Sequence, residues 1–334
     1  MAVLPEYEPG ARNAVRTCLA ISEGDRVVIV TDHEHDRIAE AVLEESVAAG
    51  ADVRSWLIED YARRPVHELP APLAEEIERY LPTASFFIAS SLPGEISFRM
   101  PLMDLLIHRL RCRHGHMVGI DHRLMVEGMA ADYDEIYRVT RKVYEAVRPA
   151  ARIEVQTRLG TELMAAFSPD IRWVPSDGRY HDQGLWGNLP EGEVFTSPQS
   201  VDGLLVAEEL GDHFAARYGL LQNPVRFRIR GGRVQAVECA DPNLKAEVEA
   251  YLARHPDSNR AGEFAIGTNV ALKEIVGNFL QDEKFPGVHI AFGDPYAHET
   301  GAGWSCPTHV DALASHATVS VDGRRIMEDG RFLI

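Results

Sequence analysis

Arg26-Val27-Val28-Ile29-Val30 is an unbroken apolar run, followed by helical periodicity from Asp36 to Ala49 and a second strand-like run from Val53 to Ile58. A strand apolar on both sides must be covered on both faces, and a helix between two such strands makes them parallel through a right-handed crossover. Few folds accept that pattern. Thr83 to Ser90, with Phe86, Phe87 and Ile88, supplies a third buried strand, and Met117 to Ile120 a fourth. Residues 11–21 space Ala14, Val15, Cys18 and Leu19 as one helix face that ends near Gly24. Residues 1–150 are therefore expected to form an α/β domain with an open, mostly parallel sheet.

A helix from Ala131 to Val147 stops before Pro149, and the pattern then changes. Ile153 to Thr157 alternates, as do Val225 to Ile229 and Val234 to Val237 around Gly231-Gly232, which predicts a hairpin. Asp322-Gly323 marks another within Thr318 to Ile326. Pro242 to His255 reads as an amphipathic helix capped by Asp241 and stopped by Pro256, and Ala271 to Gln281 as a last helix. The expectation for residues 151–334 is an α+β, metal-binding domain.

The net charge of −17 disfavours nucleic acid and anionic membrane as partners. No apolar run approaches the roughly 20 residues of a membrane span. Cys18, Cys112, Cys239 and Cys306 are scattered without a Cys-x-x-Cys pair, as in proteins with free thiols, and Met1 to Gly10 does not read as a signal peptide. A cytoplasmic location is the expectation. Gly-x-Gly-x-x-Gly, phosphate-loop and Gly-x-Ser-x-Gly signatures are all missing, so the sheet carries no nucleotide or serine-hydrolase signal.

Metal chemistry is what the remaining residues suggest. Asp32-His33-Glu34-His35-Asp36, His114-Gly115-His116 and Asp121-His122 lie beside expected strands, and a helix start with favourable acids explains the first of them. Arg226, Arg228 and Arg230 alternate as on a solvated sheet face. The stretch from Glu283 to Asp311 is different. His309 and Asp311 share one face of a strand and can reach one ion, and mixed His and carboxylate ligands suit Zn, Fe, Mn or Co. Glu263, within Gly262-Glu263-Phe264-Ala265-Ile266, is an acid in an apolar run that needs a cation if it is buried. Glu193 opens the strand Glu193-Val194-Phe195-Thr196 after Leu189-Pro190.

These segments, with His289-Ile290-Ala291-Phe292-Gly293, Tyr296 and Thr308-His309-Val310-Asp311 in the same order, resemble the thermophilic-type metallo-aminopeptidases, the relatives of aminopeptidases T and S. The spacing from Glu283 to His289 is one residue longer than the family's, with Pro286-Gly287 in the gap. The resemblance implies two divalent ions (Zn, Co or Mn) held by Glu193, Glu263, Glu283, His289, His309 and Asp311. Four carboxylates would balance those two ions. It further implies Glu263 as the proton acceptor, Tyr296 as an oxyanion donor, a small peptide or amide as substrate, and a homodimer. A rival in the same fold is the ring-cleaving dioxygenase of the 2,5-dihydroxypyridine type. It would use one Fe(II) on His289, His309 and Asp311. Glu263 separates the two, because the resemblance places a histidine there in the dioxygenases.

Overall fold

The computed structural model describes residues 4–90 and 92–334. The chain divides into two compact units: residues up to Tyr133 together with Gly178–Glu191, and Asp134–Asp177 together with Gly192–Ile334.

The first unit is built on a five-stranded sheet in the order Asp52–Leu57, Arg26–Thr31, Ala84–Ile88, Arg113–His116, Trp186–Asn188. All of its pairings are parallel. Val27 to Val30 are fully buried, as two covered faces require, and the helix Asp36–Ala48 turns Ile38, Ala41 and Val42 inward. The fourth strand is Arg113–His116 rather than Met117 to Ile120. Its two histidines hide it in the sequence, for they read as polar yet are buried. His114 Nδ1 lies 2.9 Å from Ser85 Oγ, and burial holds its ring down to about 3, uncharged in the sheet. Asp32 is likewise structural. Its carboxylate pairs with Arg64, takes hydrogen bonds from the backbone N–H groups of His35 and Ser90, and sits well below the ordinary carboxylate range. Burial opposes that ionised state, and the bonds from His35 and Ser90 outweigh it.

The second unit stacks two antiparallel sheets. The eight-stranded sheet runs Arg233–Glu238, Val225–Arg230, Ser200–Ala207, Glu162–Ala166, Arg152–Gln156, Thr318–Val321, Arg324–Glu328, Arg331–Phe332. The six-stranded sheet runs Glu209–Leu210, His309–Ser315, Gly287–Gly293, Ala261–Gly267, Glu193–Thr196, Val174–Ser176. Val155, Leu163 and Phe227 from the first sheet share one core with Phe264, Ile290, Phe292 and Val310 from the second. The Phe227 and Phe292 rings lie 5.1 Å apart. Both expected hairpins form, with positive φ at Gly231 and Gly232 and at Asp322 and Gly323, as tight two-residue turns demand. Asp241 caps the helix Pro242–Leu252 by accepting from the N–H groups of Asn243 and Leu244.

The helix expected over Ala271 to Gln281 is reduced to Phe279–Asp282. Gly277 is left-handed (φ 83°), and Asn278 adopts an extended backbone and accepts from Leu280 N, so helix begins only after them.

Candidate metal centre

The six-stranded sheet has two chemically different faces. Phe264, Ile266, Val288, Ile290, Phe292, Val310 and Ala312 point into the core, which leaves the intervening residues of the same strands on the other side. Register fixes who meets there: Glu263 lies opposite Ala291 and Ala291 opposite Asp311, Gly293 opposite His309, Ala265 opposite His289, and Gly267 opposite Glu193. Small residues between the acids and histidines leave space above the sheet. A bulge in the Glu263 strand falls at Gly262, where a Cβ would sit 2.1 Å from the Gly293 carbonyl oxygen.

All six expected ligands converge. Three trios place one ligand atom each within 4.8 Å of one another: Glu193, Glu263 and His289; Glu263, His309 and Asp311; Glu283, His289 and Asp311. His289 Nε2 is 3.5 Å from Glu193 Oε2 and 3.9 Å from Glu263 Oε1. His309 Nε2 is 3.4 Å from both Glu263 Oε2 and Asp311 Oδ1. Tyr296 stands at the rim, 37% exposed and left-handed (φ 50°), with its ring 4.6 Å from that of His309.

The donors fit a divalent cation. His309 Nδ1 is 3.0 Å from the Asp294 carbonyl oxygen, so it donates there and turns Nε2 toward two carboxylates. The His309 backbone is held as well, by Tyr251, whose hydroxyl donates to its carbonyl at 2.9 Å. Electrostatics agree. Burial alone would lower the His309 ring, yet Tyr296, Asp311 and Glu263 push it well above its ordinary value. Burial raises Glu263, against the pull of His309 and His289, and raises Glu283 well above the usual range, against Lys284. Such a cluster draws positive charge. Glu193 Oε2 has no hydrogen-bond partner.

The sequence reading missed Lys284. This lysine is buried, and its Nζ lies 2.7 Å from Glu193 Oε1 and 2.9 Å from Glu283 Oε1. A lone lysine in Asp282-Glu283-Lys284-Phe285 carries no signal of burial.

Glu209, from the neighbouring edge strand, is a further buried acid, set against the buried Asp282. Burial, followed by the Asp282 charge, pushes its carboxyl up to about 10. The folded protein therefore keeps a proton there that the unfolded chain releases near pH 4.3, and stability falls as pH rises between those values. Glu209→Gln should flatten that fall. At pH 9 we expect the variant to be the more stable of the two in denaturant titrations, with the difference shrinking as pH falls. A pH profile identical to that of the wild type would contradict the assignment.

Comparisons with known proteins place the chain in a family and a fold. The model of the thermophilic metalloprotease (M29) family matches residues 122–325. The chain belongs to that family of metal-dependent peptidases. AmpT from Thermus thermophilus has the same fold at a TM-score of 0.72 and 19% identity, over 98% of this chain and 99% of that one. A 2,5-dihydroxypyridine dioxygenase from Pseudomonas putida KT2440 superposes at a TM-score of 0.71 and 15% identity, over 99% and 98% of the two chains. At these identities the likeness carries the fold. No curated protein matches the chain.

Proposed function

We propose that the chain is an aminopeptidase, or a hydrolase of a closely related small amide, working with Zn, Co or Mn at the Glu263–His309–Asp311 trio. The observation that carries this reading is the fixed His309 ring, with Nδ1 tied to the Asp294 carbonyl and Nε2 3.4 Å from both carboxylates. A divalent ion held by Glu263, His309 and Asp311 would supply a water of lowered pKa and polarise the scissile carbonyl. Glu263, raised by burial, accepts the proton and passes it to the leaving amine. Tyr296 keeps its phenol proton, because burial and then the Glu263, Asp311 and Glu283 charges push it up against the opposing effect of His309. It can therefore donate a hydrogen bond to the oxyanion of the tetrahedral intermediate.

The dioxygenase reading needs His289, His309 and Asp311 around one ion. Among the described residues, the His309–Asp311 pair is completed by Glu263 instead. Two carboxylates and one histidine in this trio suit hydrolysis better than a two-histidine iron triad.

The test compares amide release from aminoacyl amides with release from their N-acetylated counterparts. A preference of about 100-fold or more for the free amino terminus is expected, since a site built for an amine rejects the blocked form. Equal rates on both would remove the aminopeptidase reading. Substrate-dependent O₂ uptake with 2,5-dihydroxypyridine and no amide hydrolysis would put the dioxygenase in its place.

A further inference from the structure

We infer that Lys284 takes the place of a second ion, so that the centre holds one divalent cation where its six acid and imidazole donors suggest two. Lys284 is buried among the donors, and its ammonium pairs with one oxygen each of Glu193 and Glu283 at 2.7 and 2.9 Å. Of the three possible trios, the first contains Glu193 and the third contains Glu283, so each shares a carboxylate with the lysine. The Glu263–His309–Asp311 trio alone shares none. A cation placed in either of the other two would share a carboxylate with the ammonium and sit beside its charge.

The lysine is not a surface group that swings in. Its N–H donates to the Gln281 carbonyl and its own carbonyl accepts from Asn269 N, both at 2.9 Å. The chain beside it passes directly over Gly267, where a Cβ would lie 2.0 Å from the Phe285 carbonyl oxygen. Backbone bonds and a required glycine thus hold Nζ over the cluster. The charge balance agrees. Four carboxylates facing one ammonium and one divalent ion leave a single negative charge, which a substrate's amino-terminal ammonium neutralises. A second ion would leave the cluster positive and repel that group.

The inference rests on the reading of Glu263, His309 and Asp311 as an ion site, and the two fail differently. Chelator-treated full-length protein is titrated with Zn²⁺ alone by calorimetry. One equivalent is expected for the wild type and for Lys284→Arg, and two for Lys284→Met. Two equivalents on the wild type would overturn the inference and leave the ion site standing, whereas none would overturn both. One equivalent on a folded Lys284→Met would remove the lysine's role. Should that variant not fold, anomalous scattering from cobalt-soaked wild-type crystals decides. A single peak among Glu263, His309 and Asp311 supports the inference, and a second peak beside Glu193 or Glu283 overturns it.

Discussion

Glu263→Gln is expected to lower turnover by about 10²–10⁴-fold, the range for loss of a general base, while the protein stays folded. The side chain enters the cluster from a bulged strand whose Phe264 and Ile266 lie in the core, so its backbone is fixed by sheet and packing. One oxygen is 3.4 Å from His309 Nε2 and the other 3.9 Å from His289 Nε2, which puts it between the ion position and the rest of the donors. Burial raises its carboxyl above the ordinary value, the direction that suits a group taking and returning a proton near neutrality. Glutamine keeps the volume and one acceptor oxygen but cannot accept the proton. His309, Asp311 and the amide oxygen remain as donors, so turnover is compared at metal concentrations that saturate the variant. Steady-state kinetics with metal analysis on the same sample make the check. Activity within about threefold of the wild type would assign the base elsewhere.

Asp311→Asn is expected to be as damaging for a different reason: it loses the metal itself. Asp311 belongs to two of the three trios. Burial would raise its carboxyl, yet His309 outweighs that and holds it below its ordinary value, ready to bind a cation. The site has been shaped around it, for a Cβ on Gly211 would lie 2.8 Å from Asp311 Oδ2, and Gly211 N donates to the Asp311 carbonyl. A neutral amide in that space should weaken metal affinity by about 100-fold or more and abolish turnover at ordinary metal concentrations. Metal at 100 times its dissociation constant stabilises a folded protein by about 2.7 kcal/mol. That gain should be present in melts of the wild type and missing in the variant. A variant melting with the same metal-induced shift would show that Asp311 is not a ligand.

The parallel sheet of the first unit was legible because Val27 to Val30 and Phe86 to Ile88 are apolar without alternation, which only a doubly covered strand tolerates. Arg113–His116 was not, because burial in the sheet overrides the polarity by which histidines are read. Within the cluster, Glu263 betrayed itself as an acid among Phe and Ile, and His309 and Asp311 by strand spacing. What joins them to Glu193 and His289 is register across four strands, a long-range property that no local pattern encodes. Lys284 was beyond reach for the same reason. It follows a short helix that begins only after Gly277 and Asn278, where the sequence alone reads as continuously helical. The one-residue excess before His289 was the visible trace of that difference.

Removal and return of the metal tests the central claim most directly. Protein stripped by a chelator and dialysed should release no amino acid from an aminoacyl amide, and one equivalent of Zn²⁺, Co²⁺ or Mn²⁺ should restore the rate. Hydrolysis that persists in metal-free protein, or activity that returns only with Fe(II) and consumes O₂, would contradict it.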